Sequence, residues 1–234
     1  DFEESLLARL RSARATGAVA FKTIAAYRCG LALSEGRRAE AQSGWPEAVE
    51  AARRAGIARL QNQPLLEYVL ELALKAAADQ HLPVQIHTGF GDTDLDLAEA
   101  NPLKLRPLLE RWKERSVRFV LLHCYPFCRE AAYLASVYSN VFVDLSLTIP
   151  FAAHGGEWAI RSALELAPET KVLLATDAFS IPELFYVGAL NVRRRLGEAL
   201  SGLTAQGWID SAGCGKTAER LLGGNAAALY GIAV

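Results

Sequence analysis

The sequence has no methionine, four cysteines and almost no net charge, and each scarcity excludes something. Lys and Arg total 25 against 26 Asp and Glu, a formal charge of −1. That balance offers no cationic face to a polyphosphate or an anionic lipid surface, so neither nucleic acid nor a membrane is expected as a partner. No apolar run approaches the roughly 20 residues of a bilayer-spanning helix. The opening DFEESLLARLRSARATG puts acids first, the reverse of the basic-then-apolar order of a secretory leader. Cys29, Cys124, Cys128 and Cys214 are too few and too scattered to form a disulfide framework, which predicts reduced thiols and a cytoplasmic protein. Cys124 and Cys128 make half of a zinc clip whose second half is missing, and they are read as packing residues. Residues 213–217, GCGKT, imitate a phosphate loop, but the leading glycine would fall at Asp210 and the motif fails. No glycine-rich first turn of a dinucleotide binder is present either. The lack of Met, with Asp1 already inside an apparent helix, predicts a processed, truncated or partly described chain.

What remains is 234 residues, 51% hydrophobic and 22% charged, enough for one large α/β domain with a sizeable core. After the breaker Thr16-Gly17, the run AVAFKTI (18–24) reads as a strand. Pro46 and Pro64 each open an amphipathic segment and predict helices over 46–60 and 64–80. From there strand and helix alternate. Strands are expected at 83–87, 117–123, 140–147 and 171–177, with helices at 101–114, 129–138, 157–167 and 182–200. Near-continuous apolar strands separated by amphipathic helices mean a parallel sheet covered by helices. Lys22, His87, His123, Asp144 and Asp177 all fall at or near strand C-termini, the ends that converge on the mouth of a (β/α)8 barrel. The expected fold is therefore a TIM-type (β/α)8 barrel.

His87 closes VQIH and His123 closes FVLLH on the next strand, so two imidazoles reach one rim, suitably placed to share a metal or to face each other across a substrate. Asp177 ends VLLATD, where a carboxylate is costly unless paired or bound to a cation. Two His and one Asp make a donor set for a divalent metal, with zinc first and manganese or iron as alternatives. Lys22 admits several roles: carbamylation, pairing with a substrate carboxylate, Schiff-base formation or a structural ion pair. Arg28 and His154 are expected on the same rim as substrate-binding residues, His81 at the floor as a structural one, and Asp144 faces either way.

The segments FKTIAAYRCGL, QIHTGFGD, LLHCYPF, VFVDLSL, LATDAFSIPE and LLGGNAAALYGI, in that order, resemble the amidohydrolase-related branch of the amidohydrolase superfamily. Within it they are similar to hydrolase-like domains found alone or fused to glutamine-synthetase homologues. The resemblance implies a metal held by a first-strand His-x-His pair, a fifth-strand His and an eighth-strand Asp, with a sixth-strand His as a further ligand or acid/base. By position His87 matches the fifth-strand His, His123 the sixth and Asp177 the eighth. Lys22 falls on the fourth strand, where some branches carry a carbamylated lysine. No His-x-His occurs in the sequence, so residues 1–234 are read as one hydrolase barrel domain covering about strands 4 to 8 and the C-terminal helices, without the first three strand–helix units.

The expected activity is hydrolysis of an amide or other C–N bond in a small anionic metabolite by a metal-activated water, with Asp177 and His123 as catalytic residues. Decarboxylation of a small unsaturated or aromatic acid at the same centre, a lysine-dependent aldolase using Lys22, and a non-catalytic barrel module are the competing readings. A small molecule is the expected partner, and a homo-oligomer is left open.

Overall fold

The computed structural model describes residues 2–57 and 59–233; Asp1, Ala58 and Val234 lie outside the described residues, and with them the reading of Asp1 as helical. Among the described residues five strands run β1 (Phe21–Thr23), β2 (Val84–Thr88), β3 (Phe119–His123), β4 (Val141–Asp144) and β5 (Val172–Leu173). Ten α-helices accompany them: α1 (Phe2–Ser12), α2 (Arg38–Ala55), α3 (Gln63–Gln80), α4 (Arg106–Trp112), α5 (Cys128–Val137), α6 (Thr148–Ala152), α7 (Gly156–Leu164), α8 (Pro182–Ala205), α9 (Ser211–Glu219) and α10 (Asn225–Tyr230). None of the described helices is long and apolar enough to cross a membrane.

All neighbouring strands are parallel, and their order in space is their order in sequence. In a doubly wound sheet the order reverses at a switch point. Here every crossover advances the same way, and because such crossovers are right-handed the connecting helices collect on one face of the sheet. The twisted sheet then curls into the arc of a (β/α) barrel.

The register explains how polar groups reach the concave face. Phe21, Val84, Phe119 and Val141 pair across four strands, and these outward side chains join the main core under the helices with Leu108, Trp112, Leu134 and Ile160. One residue on, side chains point the other way. Lys22, Gln85, Val120 and Phe142 form one inner row, and His87, Leu122, Asp144 and Leu173 the next, nearer the strand C-termini. Val120, Leu122 and Leu173 meet Leu229 there, and Gln85 Nε2 donates to the Tyr230 hydroxyl at 2.8 Å, so α10 seals the inner face.

Several boundaries differ from the sequence reading. The helix expected from Pro46 starts at Arg38, with Pro46 inside α2, and ends at Ala55 beside Gly56, whose φ of 64° forms a left-handed cap. Proline suits a first turn but is tolerated within a helix at the cost of one hydrogen bond, so it misplaced the start. β1 begins at Phe21 instead of Ala18. β5 has two residues instead of seven, because the following backbone leaves the ladder: Leu174 N–H donates to Leu221 O at 3.1 Å, and Thr176 O accepts from Leu147 N–H at 3.1 Å. Cys124 and Cys128 are fully buried, as packing residues should be, and burial pushes the Cys128 thiol up to about 12.

Candidate active site

His87, the fourth residue of β2, is 4% exposed. Its Nε2 lies 3.2 Å from the Phe90 carbonyl oxygen. A carbonyl only accepts, so Nε2 carries the hydrogen and Nδ1 keeps its lone pair. Burial first, then the neighbouring His123 and Lys22, press its pKa down to about 3, which leaves a neutral ring in the metal-ligating form. The Tyr27 ring lies 4.5 Å from it, centroid to centroid, and the His123 ring 4.6 Å.

His123 ends β3 and is locked the other way round. Its Nδ1 lies 3.0 Å from Ser146 O and 3.2 Å from Ser146 Oγ, so the proton sits on Nδ1 and Nε2 presents the lone pair. Ser146 is held in turn: its backbone N–H donates to Asp144 Oδ1 at 2.7 Å. Thr148 Oγ1 donates to the His123 carbonyl at 2.5 Å. Burial lowers the His123 pKa, against the opposing effects of the Ser146 hydrogen bond and the Asp177 and Asp144 charges. Asp144, also buried, is raised by its desolvation. The inward orientation that the sequence left open for Asp144 thus serves to fix His123 through Ser146.

Asp177 follows β5 in irregular backbone, its side chain 45% exposed, with Oδ2 4.0 Å from His123 Nε2. Non-glycine residues with left-handed backbone gather here: His123 (φ 70°), Cys124 (φ 66°), Leu147 (φ 62°) and Asp177 (φ 53°). Such conformations cost of order 1–3 kcal/mol each and persist where the surrounding structure enforces them, a pattern typical of functional sites.

A cavity of about 660 Å³ opens at the strand C-termini, and His87, His123 and Asp177 share its wall with Lys22, Tyr27 and Arg28. Another, of about 490 Å³, lies away from the strand ends against Arg161, Leu200 and Trp208. His154 is exposed in the turn Ala153–Gly155 and is not part of the wall of the larger cavity. Phe90 also lines that cavity, as do Arg59, Asp92 and Asp94, which escaped the sequence reading. Arg59 was hidden within a helix expected to run to residue 60, whereas the D-x-D of GFGDTD was a visible cue.

Among the described residues no three His, Cys, Asp or Glu side chains enclose an ion. The donor chemistry nonetheless suits part of a coordination set. Both rings are neutral with one lone pair each, and the 4.0 Å between His123 Nε2 and Asp177 Oδ2 modestly exceeds the separation of about 3.4 Å for two tetrahedral ligands at about 2.1 Å. These residues fit as contributors to a metal site and do not complete one among themselves.

The loop after β2 is fitted closely. A Cβ on Gly91 would overlap the Tyr27 hydroxyl and come within 3.1 Å of His87 Nε2. Gly91→Ala is therefore expected to displace Tyr27 or the loop and to lower stability by about 1–3 kcal/mol, measured by urea unfolding.

The amidohydrolase family profile matches residues 38–232. Protein fluG of Emericella nidulans is 34% identical over 187 residues, covering 76% of this chain and 21% of fluG. Among solved structures, a Lactobacillus casei protein provisionally named a metal-dependent hydrolase has a TM-score of 0.89 and 34% identity, covering 97% of this chain and 59% of that one. Uronate isomerase from Thermotoga maritima has a TM-score of 0.73 at 16% identity, covering 98% of this chain and 53% of that one, a likeness of fold alone. The chain thus spans 21% of the curated relative and 59% of the L. casei structure.

Proposed function

Because the chain belongs to the amidohydrolase family, we propose that its cavity belongs to a metal-dependent hydrolase acting on an amide or other C–N bond of a small anionic molecule. The observation that carries this reading is the pair of neutral histidines, each held in one tautomer, beside a carboxylate at the mouth of the cavity at the strand C-termini. His87 would offer Nδ1 to the metal, His123 Nε2 and Asp177 a carboxylate oxygen. When bound, a divalent cation, zinc in the first instance and manganese or iron otherwise, supplies Lewis acidity that lowers the pKa of water from about 15.7 toward about 7.

The chain's own groups divide the remaining work. Asp177 is open to solvent and is placed to take a proton from the attacking water and return it to the leaving nitrogen. His123 has no hydrogen on Nε2 in its resting tautomer, so it acts there as ligand or proton acceptor. It can donate to a substrate oxygen only after gaining a proton, while its bond to Ser146 keeps the ring in place. Lys22 and Arg28 add positive charge to the wall and suit a substrate carboxylate.

The test is to prepare metal-free protein, reload it with zinc, manganese or iron, and measure bound metal together with amine or ammonia released from a panel of carboxylate-bearing amides. Stoichiometric metal with amine release is the expected result. Carbon dioxide release without amine would sink the hydrolytic reading in favour of decarboxylation. A non-catalytic barrel module, the rival reading, would show neither metal uptake nor turnover in the intact protein.

A further inference from the structure

The loop that follows β2 carries Asp94, and two guanidinium groups from separate parts of the chain converge on one of its oxygens. Arg28 Nη1 lies 3.8 Å from Asp94 Oδ2, and Arg59 Nη1 lies 3.5 Å from the same atom. Arg28 comes from the segment after β1, Arg59 from the connection between α2 and α3, and all three residues line the cavity that holds His87 and Asp177. Neither contact has the two-pronged geometry in which a guanidinium grips a carboxylate most strongly. Arg28 Nη1 also donates to the Tyr27 carbonyl oxygen at 3.4 Å, and Asp94 grips neither arginine at two points. Arg59 and Asp94 are about half exposed, at 50% and 42%, and ion pairs so exposed are worth only about 0.2–1 kcal/mol. Arg28 is only 17% exposed, so its contact is the less screened of the two; an arriving carboxylate can displace Asp94 from Arg59 at small cost, and Asp94 keeps two like charges together until it does.

We propose that Arg28 and Arg59 form a clamp for a substrate carboxylate, with Asp94 as the displaceable stand-in that occupies it beforehand. The inference deepens the hydrolase reading by naming the group that anchors the substrate away from the reacting bond, and it rests on that cavity being the substrate site. A fork-shaped cation suits this role best, since lysine offers charge without paired, planar donors.

The test is calorimetric binding to metal-free protein, which separates anchoring from turnover. Succinate is the anionic probe and succinamide its uncharged counterpart. Arg59→Ala is expected to weaken succinate binding by about tenfold or more, with Arg59→Lys in between, and to leave succinamide unaffected. Asp94→Asn is expected to tighten succinate about two- to fivefold, because the competitor's charge is gone. Unchanged succinate binding in Arg59→Ala would overturn the clamp. Weakened binding in Asp94→Asn would overturn the stand-in role, by showing that Asp94 positions the arginines for the ligand. If the arginine dependence holds and no amide is cleaved by the metal-loaded protein, the clamp stands and the hydrolase reading falls.

Discussion

His87→Ala and Asp177→Asn, each introduced into the intact protein, are expected to abolish stoichiometric metal binding and to reduce amide hydrolysis on the order of a thousandfold or more. The two changes act differently. His87→Ala deletes a neutral nitrogen donor from a buried position between Tyr27 and His123, whereas Asp177→Asn preserves shape at the open mouth and removes the charge. On the proposed roles both lose a ligand, but only Asp177→Asn also loses the proton acceptor without vacating space. Metal analysis and turnover on the same preparation check the result, with far-ultraviolet circular dichroism to confirm the fold. Full activity in either variant would remove that residue from the centre.

Asp144→Ala should also be damaging, though less so, although Asp144 is not itself assigned as a ligand. Asp144 Oδ1 accepts the Ser146 N–H at 2.7 Å, and Ser146 in turn accepts from His123 Nδ1. Removing the carboxylate leaves a buried N–H unsatisfied, at about 1–3 kcal/mol, and frees the carbonyl that dictates the His123 tautomer. Partners of a ligating histidine typically contribute about 10–100-fold in metal affinity or activity, and a loss of that size is expected here. Asp144→Asn keeps an acceptor at the same place and should restore a substantial part. If Ala and Asn behave alike, charge and not positioning is what Asp144 supplies.

The strands that run through the centre of the sheet were legible because burial on both faces demands continuous apolar runs, and FVLLH is such a run. His87, His123 and Asp177 were legible for the complementary reason, each being a polar group closing an otherwise apolar stretch. Tertiary hydrogen bonds decided what the pattern could not. The residues VLLATD look like strand throughout, yet only Val172 and Leu173 pair with β4, because Leu174 finds its partner at Leu221. Pro46 looked like a helix start and lies within α2. Arg59 carries no local mark at all, since its meaning comes from Asp94, 35 positions away in the chain and adjacent only in space. His154 had the right residue type on the right side of the barrel but sits in an exposed turn outside the cavity wall.

The ladder that carries the centre is uneven. β2 and β3 share five register pairs beneath His87 and His123, while β4 and β5 share two before the backbone departs toward Asp177. One bank of the cavity is therefore stiff and the other compliant, so a ligand that touches both must draw the compliant bank onto the stiff one. Amide hydrogen–deuterium exchange should register this as slow, ligand-indifferent exchange along 119–123 and faster exchange along 174–180 that slows on binding. Part of the binding energy is then spent on ordering the Asp177 bank, which makes ligand affinity sensitive to substitutions in that segment that never touch the ligand.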